Sequence, residues 1–243
     1  MYPKLKFTIA PLKKELEMFN YFLKQNHMKQ YVYNKYPELK YVQDITKIIT
    51  HKKKEFAIKS KINAEFHKNW WIKFENKFMP ILPEVLNTNW FKETISVQIS
   101  IDPICPRFLK DKSFFIPYYY NIQKWVAPIF AHEITHFLYF KKFGELFPEI
   151  KKRKYDYPYI EWILSEILVS IILKDSKFNG FFKIEPGSYP VFYKSKIGTK
   201  TIMQVFEDKY KQMVEKDKKK FDDYLKWAYT YAKKHEKQLM VVN

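Results

Sequence analysis

Residues 132 to 136 read His132, Glu133, Ile134, Thr135 and His136, which is an HExxH pattern. Residues four apart on a helix lie on one face, about 40° from each other around the axis and about 5 to 6 Å apart. Both imidazoles can therefore reach one divalent ion at about 2.0 to 2.1 Å. Glu133 projects beside the pair, where it can act as a general base toward a metal-bound water. The motif predicts a zinc site with Glu133 as its catalytic residue.

A catalytic zinc usually takes a third protein ligand, and two downstream glutamates are candidates. Glu161 and Glu166 are five positions apart, about 140° on a helix, so only one of them can face the site. Glu161 lies in a first helical turn, where the helix dipole favours a carboxylate without any function. Glu166 lies among apolar residues, where a carboxylate is costly unless it binds a cation. We favour Glu166 as the third ligand and keep Glu161 as the alternative.

Two other ligand sets are disfavoured by the sequence. A metzincin-type continuation requires glycine at the position of Tyr139 and histidine at that of Lys142, so it is excluded. The only histidine downstream of the motif is His235, which lies in a charged segment. The expected metal ligands are therefore His132, His136 and Glu166.

These residues resemble the gluzincin branch of the zincin-type metallopeptidases, which pair HExxH on one helix with a glutamate on the next. The stretch from Trp162 to Glu166 is similar to the tryptophan-rich segment before that glutamate in some members, and the resemblance covers residues 113–175. It implies zinc-dependent hydrolysis of a peptide or protein substrate. It also implies an upper subdomain over residues 1–145, a lower one over 146–243, and an edge strand that binds extended substrate. Some gluzincins carry an aspartate that orients a histidine where this chain has Ser170.

Apolar periodicity predicts that helices position these groups. Pro80 and Pro83 are expected to end the second helix, and Gly144 to end the helix that carries HExxH. The helix after Pro158 is apolar on nearly all sides and should be buried. The predicted helices cover residues 11–35, 45–78, 122–143, 158–175 and, as two helices, 201–238.

Alternation of apolar and polar residues from Thr94 to Ile101 predicts a half-buried strand. Ser113 to Tyr120 is also β-prone, but Pro117 cannot donate a ladder hydrogen bond, so an edge strand is expected there. Glycines and prolines over 176–200 predict loops or a small hairpin. The predicted fold is α+β and mainly helical, with a small mixed or antiparallel sheet packed on the active-site helix.

Length and composition narrow the function classes. A chain of 243 residues with 47% hydrophobic residues can build one large domain or two modest ones. Its 4 glycines leave no glycine-rich phosphate loop. One cysteine, Cys105, forms no internal disulfide, and no signal sequence opens the chain, so we expect a cytoplasmic protein. No apolar run of membrane-spanning length occurs, so no membrane partner is expected.

A net charge of +18 would usually suggest nucleic acid as a partner. Of the 44 basic residues, however, only Arg107 and Arg153 are arginines. Phosphate and base recognition favours the planar fork of arginine, so the lysine bias disfavours a nucleic-acid partner. The alternative to a peptidase is a lysine-rich protein that binds nucleic acid or an acidic partner and carries a non-catalytic metal site.

Overall fold

The computed structural model describes residues 2–241, apart from the side chain of His27. It is mainly helical with a small mixed sheet, which confirms the predicted α+β class. Short 3-10 turns occupy several connections. The helices are α1 Leu12–Leu23, α2 Asn26–Lys35, α3 Thr46–Glu55, α4 Ala57–Leu86, α5 Gln123–Leu146, α6 Ile160–Ile172, α7 Ile202–Tyr210, α8 Phe221–Lys234 and α9 Glu236–Leu239, and the strands are β1 Leu5–Ile9, β2 Ile95–Ser100, β3 Arg107–Phe108, β4 Ser113–Pro117, β5 Lys196–Ile197 and β6 Lys200–Thr201.

The chain forms two compact units, each assembled from separated stretches. Unit 1 contains Tyr2, Asn76–Phe91 and residues 127–241, and unit 2 contains Pro3–Glu75 and Lys92–Val126. The units therefore do not coincide with the predicted subdomains 1–145 and 146–243. The HExxH motif and both candidate glutamates lie in unit 1.

Unit 2 holds a four-stranded sheet in the order β1-β2-β4-β3. The two pairings β1·β2 and β2·β4 are parallel, and β3·β4 is antiparallel. The predicted strand over 94–101 is confirmed as β2, and its inward residues Ile95, Val97 and Ile99 are fully buried. The first strand was not predicted, although Leu5, Phe7 and Ile9 alternate with polar residues.

The expectation of an edge strand over Ser113–Tyr120 was wrong for most of β4. This strand lies between β2 and the short β3, and all five of its residues are buried. Pro117 is tolerated because it is the last residue of the strand, and the ladder continues when Tyr118 N–H donates to Ser100 O at 2.8 Å. The missing donor of Pro117 thus marks the end of a strand.

Pro80 and Pro83 were expected to end a helix, but α4 continues through both of them to Leu86. Pro83 has no N–H, so the carbonyl of Met79, four residues earlier, loses its helical donor. The indole Nε1–H of Trp90 donates to that carbonyl oxygen at 2.7 Å. A side chain from outside the helix therefore replaces the bond that proline removes.

Gly144 was expected to end the HExxH helix, but α5 continues to Leu146. A Cβ atom at Gly144 would lie 3.2 Å from the hydroxyl oxygen of Tyr155. The small residue therefore serves the close approach of Tyr155 rather than a left-handed helix end.

The remaining predicted elements are present with changed bounds. The helix predicted over 11–35 is divided into α1 and α2, and the one over 45–78 is divided into α3 and α4. The hairpin expected within 176–200 is β5 and β6, with Gly198 at φ 64° between them. In the C-terminal part, a π-helical turn follows α7 before α8 begins. Within residues 2–241, no helix is both long enough and apolar enough to cross a membrane.

Candidate metal centre

The two histidines of the motif lie in the middle of α5. Their ring centroids are 4.6 Å apart, and the ring planes are inclined at 76°. The imidazole Nε2 atoms point toward each other and lie 3.0 Å apart. His136 is fully buried, whereas the side chain of His132 retains 16% exposure. The pair therefore has a buried end at His136 and a solvent-accessible end at His132.

Helix α6 contributes the third group. All of its residues are buried, as expected from its apolar sequence, and Glu166 is 4% exposed. Glu166 Oε2 lies 3.2 Å from His132 Nε2, and Glu166 Oε1 lies 3.4 Å from His136 Nε2. The structure thus brings together His132, His136 and Glu166, the three residues predicted as ligands.

The spacing of these three groups fits a single small cation. Ligand atoms about 2.05 Å from a tetrahedral ion lie about 3.3 Å from one another. The two Nε2 atoms are 3.0 Å apart, and each faces a different oxygen of Glu166, at 3.2 Å for His132 and 3.4 Å for His136; one ligand atom from each residue lies within 4.8 Å of the other two. Across residues 2–241, no other set of three histidine, cysteine or acidic side chains converges in this way. Two imidazoles and a carboxylate are a donor set that several divalent transition metals accept, zinc among them.

Hydrogen bonds alone explain these contacts less well than a shared cation does. His132 Nε2 lies within 3.2 Å of both His136 Nε2 and Glu166 Oε2. A single proton on His132 Nε2 can be donated to one of these atoms, and a proton on both imidazole Nε2 atoms would set two donors against each other. A cation between the three groups satisfies all of the contacts together.

The ring of His136 is held from behind by aromatic residues. It stacks on Phe140, with centroids 6.1 Å apart and planes 17° apart. Phe140 in turn stacks on Tyr155 at 4.5 Å and 19°. These ring contacts restrict the rotation of the imidazole, whose Nε2 atom is directed at Glu166. Phe140 is four residues after His136, so this support could have been predicted from the sequence.

Glu161, the alternative ligand, has a different partner. It is 1% exposed, and its Oε1 accepts a hydrogen bond from the Tyr229 hydroxyl at 2.8 Å. Burial and this hydrogen bond raise the pKa of Tyr229 above its ordinary value. Glu161 is therefore used in joining α6 to α8, and it is absent from the converging set.

Glu133 follows His132 on the same helix and is 7% exposed. Successive helix residues project about 100° apart, so its carboxylate lies beside the imidazole pair. This placement suits a group that accepts and returns a proton.

Two serine hydroxyls, one within α6 and one outside it, donate hydrogen bonds to main-chain oxygens of α6. The Ser170 hydroxyl, at the position where some gluzincins have an orienting aspartate, donates to the Ile167 carbonyl of its own helix at 2.9 Å. Ser188, which sequence reasoning did not single out, donates to the main-chain oxygen of Glu166 at 2.7 Å. This bond fixes the backbone of the third ligand from a loop 22 residues away.

His235 stands apart from the three convergent residues. Its ring lies against Tyr231, with centroids 4.4 Å apart, at the C-terminal end of α8. This contact gives it an ordinary role in aromatic packing.

The chain was compared with protein-family models, curated proteins and solved structures, and none of them matches it. Any interpretation of the cluster therefore depends on its own geometry and chemistry.

Proposed function

We propose that this protein is a zinc-dependent peptidase of the zincin type, with His132, His136 and Glu166 as metal ligands and Glu133 as general base. The observation that carries the proposal is the convergence of the two Nε2 atoms, 3.0 Å apart, on the Glu166 carboxylate, whose Oε2 lies 3.2 Å from His132 Nε2 and whose Oε1 lies 3.4 Å from His136 Nε2. A cytoplasmic location and a peptide or protein substrate belong to the same proposal.

The three proposed ligands differ in the donor atom and the charge that they would bring to the ion. With both Nε2 atoms directed at a shared cation, the proton of each neutral imidazole lies on Nδ1. Glu166 would contribute the one negative charge of the ligand set, and the two imidazoles would contribute neutral nitrogen donors.

Zinc held in such a site would supply a Lewis acid and would lower the pKa of a water molecule next to it toward neutrality. Glu133 accepts the proton of the attacking water on its carboxylate and then donates it to the amine nitrogen of the leaving peptide. Because Glu133 is not part of the converging set, it can lose and gain this proton while the ligands stay in place. Solvent reaches the site from the side of His132, the most exposed of the three ligands.

Replacing Glu133 by glutamine tests the proposal, because the amide keeps the shape of the side chain but cannot serve as a base. We expect Glu133→Gln to retain its zinc, measured by elemental analysis, and to cleave peptides about 10² to 10⁴ times more slowly. Cleavage of a mixed peptide library is followed by mass spectrometry. Glu149→Gln, a change of the same type at an exposed position of unit 1, should leave both readouts unchanged.

Two results contradict the peptidase. One is unchanged cleavage by Glu133→Gln, and the other is no cleavage of any library member by zinc-loaded wild type. Steeply salt-dependent binding to nucleic acid that survives His132→Ala would instead favour the lysine-rich binding protein.

A further inference from the structure

A second surface feature lies wholly within unit 2, where a groove of about 670 Å³ runs between strand β1 and helix α4. One wall is the strand, from Lys4 to Ile9. The other is a face of α4, and the groove is lined there by Lys61, Ala64, Glu65, Lys68, Trp71, Ile72 and Glu75. None of these residues belongs to the candidate metal centre.

The strand presents unused hydrogen-bonding groups to this groove. Among residues 2–241, β2 is the only strand paired with β1, so β1 is an edge strand of the sheet. Ile95 N–H donates to Lys4 O, and Ala10 N–H donates to Ile99 O, which fixes the even-numbered residues as those bonded to β2. Main-chain groups alternate in direction along a strand, so the N–H and C=O of Leu5 and Ile9 point away from β2. Within residues 2–241, neither of these two residues has a hydrogen bond on that side.

The charges of the groove leave two lysines without a counter-ion. Glu75 is held by Lys4 Nζ at 2.9 Å and by the indole of Trp71 at 3.1 Å. The other acid of the groove, Glu65, lies 3.5 Å from Lys68 Nζ. Lys6 and Lys61 are exposed, and the part of the chain that the structure describes contains no ion pair to either.

We propose that this groove binds an extended acidic peptide segment, which adds to the sheet as a strand beside β1. The outward main-chain groups of Leu5 and Ile9 would pair with the backbone of the peptide. Lys6 and Lys61 would pair with its carboxylates, and Ile72, which is 52% exposed, offers an apolar contact. The proposal does not depend on the metal centre, which lies in unit 1.

Charge also argues against a second copy of this chain as the occupant. Two β1 edges brought together would set Lys4 and Lys6 of one copy against the same lysines of the other. Lysines on an edge strand oppose such self-pairing. The net charge of +18 adds a general repulsion between copies and a general attraction for an acidic partner.

The test uses a fluorescein-labelled peptide of eight residues in which glutamate alternates with threonine, and fluorescence anisotropy measures its binding to the full chain. Two further probes have glutamine in place of every glutamate, or N-methyl groups along one edge of the backbone. We expect the glutamate peptide to bind about tenfold or more tightly than either, a difference of about 1.4 kcal/mol or more. Mass spectrometry of the recovered peptide checks that it is intact.

The matched variants are Lys6→Glu/Lys61→Glu in the groove and Lys47→Glu/Lys54→Glu at exposed positions outside it. Both pairs change the net charge equally, so only the groove pair should weaken binding, by about tenfold. In wild-type protein, the amide NMR signals of Leu5 and Ile9 should shift when the peptide is added.

Equal binding of the three peptides, equal weakening by the two variant pairs, or unshifted amides at Leu5 and Ile9 would each overturn the proposal. So would a dimer in sedimentation that the groove variants alter, because the edge would then serve a second copy of this chain.

Discussion

Glu15 in unit 2 and Glu166 in unit 1 are both buried carboxylates, but they are neutralised in different ways. Glu15 is fully buried; its Oε1 accepts hydrogen bonds from Ser100 Oγ at 2.9 Å and Ile101 N at 3.0 Å, and its Oε2 pairs with Lys53 Nζ. The contacts of Glu166 with α5 are to two imidazoles instead. A lysine ammonium is a cation that the chain itself supplies, whereas an imidazole nitrogen can also serve as a ligand to a metal ion.

This difference explains why burial of an acidic residue does not by itself indicate a metal site. Glu15 has a cation supplied by the chain, so its environment is complete when the protein folds. The cluster around Glu166 joins one carboxylate to two imidazole nitrogens, a donor set that can hold a cation from solution.

The largest expected effect is the loss of zinc on replacement of Glu166 but not of Glu161, the other buried carboxylate of α6. We expect Glu166→Ala to lose zinc and to abolish peptide cleavage, because two imidazoles alone bind the ion weakly. Zinc at about a thousand times its dissociation constant should stabilise wild type by about 4 kcal/mol and this variant hardly at all. Elemental analysis and thermal unfolding with and without zinc measure both effects.

Glu161→Ala is the matched control, since Glu161 is equally buried but bonded to Tyr229. It should lower stability through the lost hydrogen bond and keep its zinc. Zinc loss from Glu161→Ala together with retention by Glu166→Ala would reverse the ligand assignment.

A second expectation concerns the ion pair of Glu15. Lys53→Met removes the cation that the chain supplies and leaves a buried carboxylate uncompensated, which should lower the free energy of unfolding by about 3 to 4 kcal/mol. Urea denaturation measures this change, and Lys54→Met at the exposed neighbouring position should cost less than about 0.5 kcal/mol. A loss as small as that of Lys54→Met would mean that Glu15 needs no partner from α3.

A third expectation uses pH on the side of unit 2. His67 is fully buried, its Nδ1 accepts a hydrogen bond from Trp70 Nε1 at 3.0 Å, and burial lowers its pKa to about 4. Between pH 6.5 and pH 4, His67 binds a proton in the unfolded chain but stays unprotonated in the folded protein. Stability is therefore fully present above pH 6.5 and should fall by up to about 3 kcal/mol as the pH drops to 4.

Chemical denaturation at pH 7.5, 6, 5 and 4 measures this loss. His67→Gln should flatten that part of the curve, because glutamine does not titrate. An equally steep curve for His67→Gln would assign the effect to other groups.

The sequence was sufficient for parts of the fold that depend on neighbouring residues. Alternation over 94–101 predicted β2, and the apolar run after Pro158 predicted a fully buried α6. It failed where a distant residue changes the local rule. Pro83 does not end α4 because the Trp90 indole bonds to the exposed carbonyl, and β4 is not an edge because the short β3 covers it.

In the candidate site, too, features that depend on neighbouring residues were predictable and those that depend on distant residues were not. The spacing of His132 and His136 is a local property of one helix, so their convergence was predictable. The choice between Glu161 and Glu166 could be argued only from helix position, and the structure adds the reason. Tyr229, 68 residues from Glu161, occupies that carboxylate and leaves Glu166 as the one that meets the histidines.

The lack of a side chain at Gly144 affects residues beyond its own turn of α5. A methyl carbon at this position would lie 3.2 Å from the Tyr155 oxygen, so a larger residue would require the phenol to shift by a few tenths of an ångström. That phenol ring supports Phe140, and Phe140 supports the His136 ring. The orientation of a proposed metal ligand thus depends, through a column of three rings, on a position two helical turns away that carries no functional group.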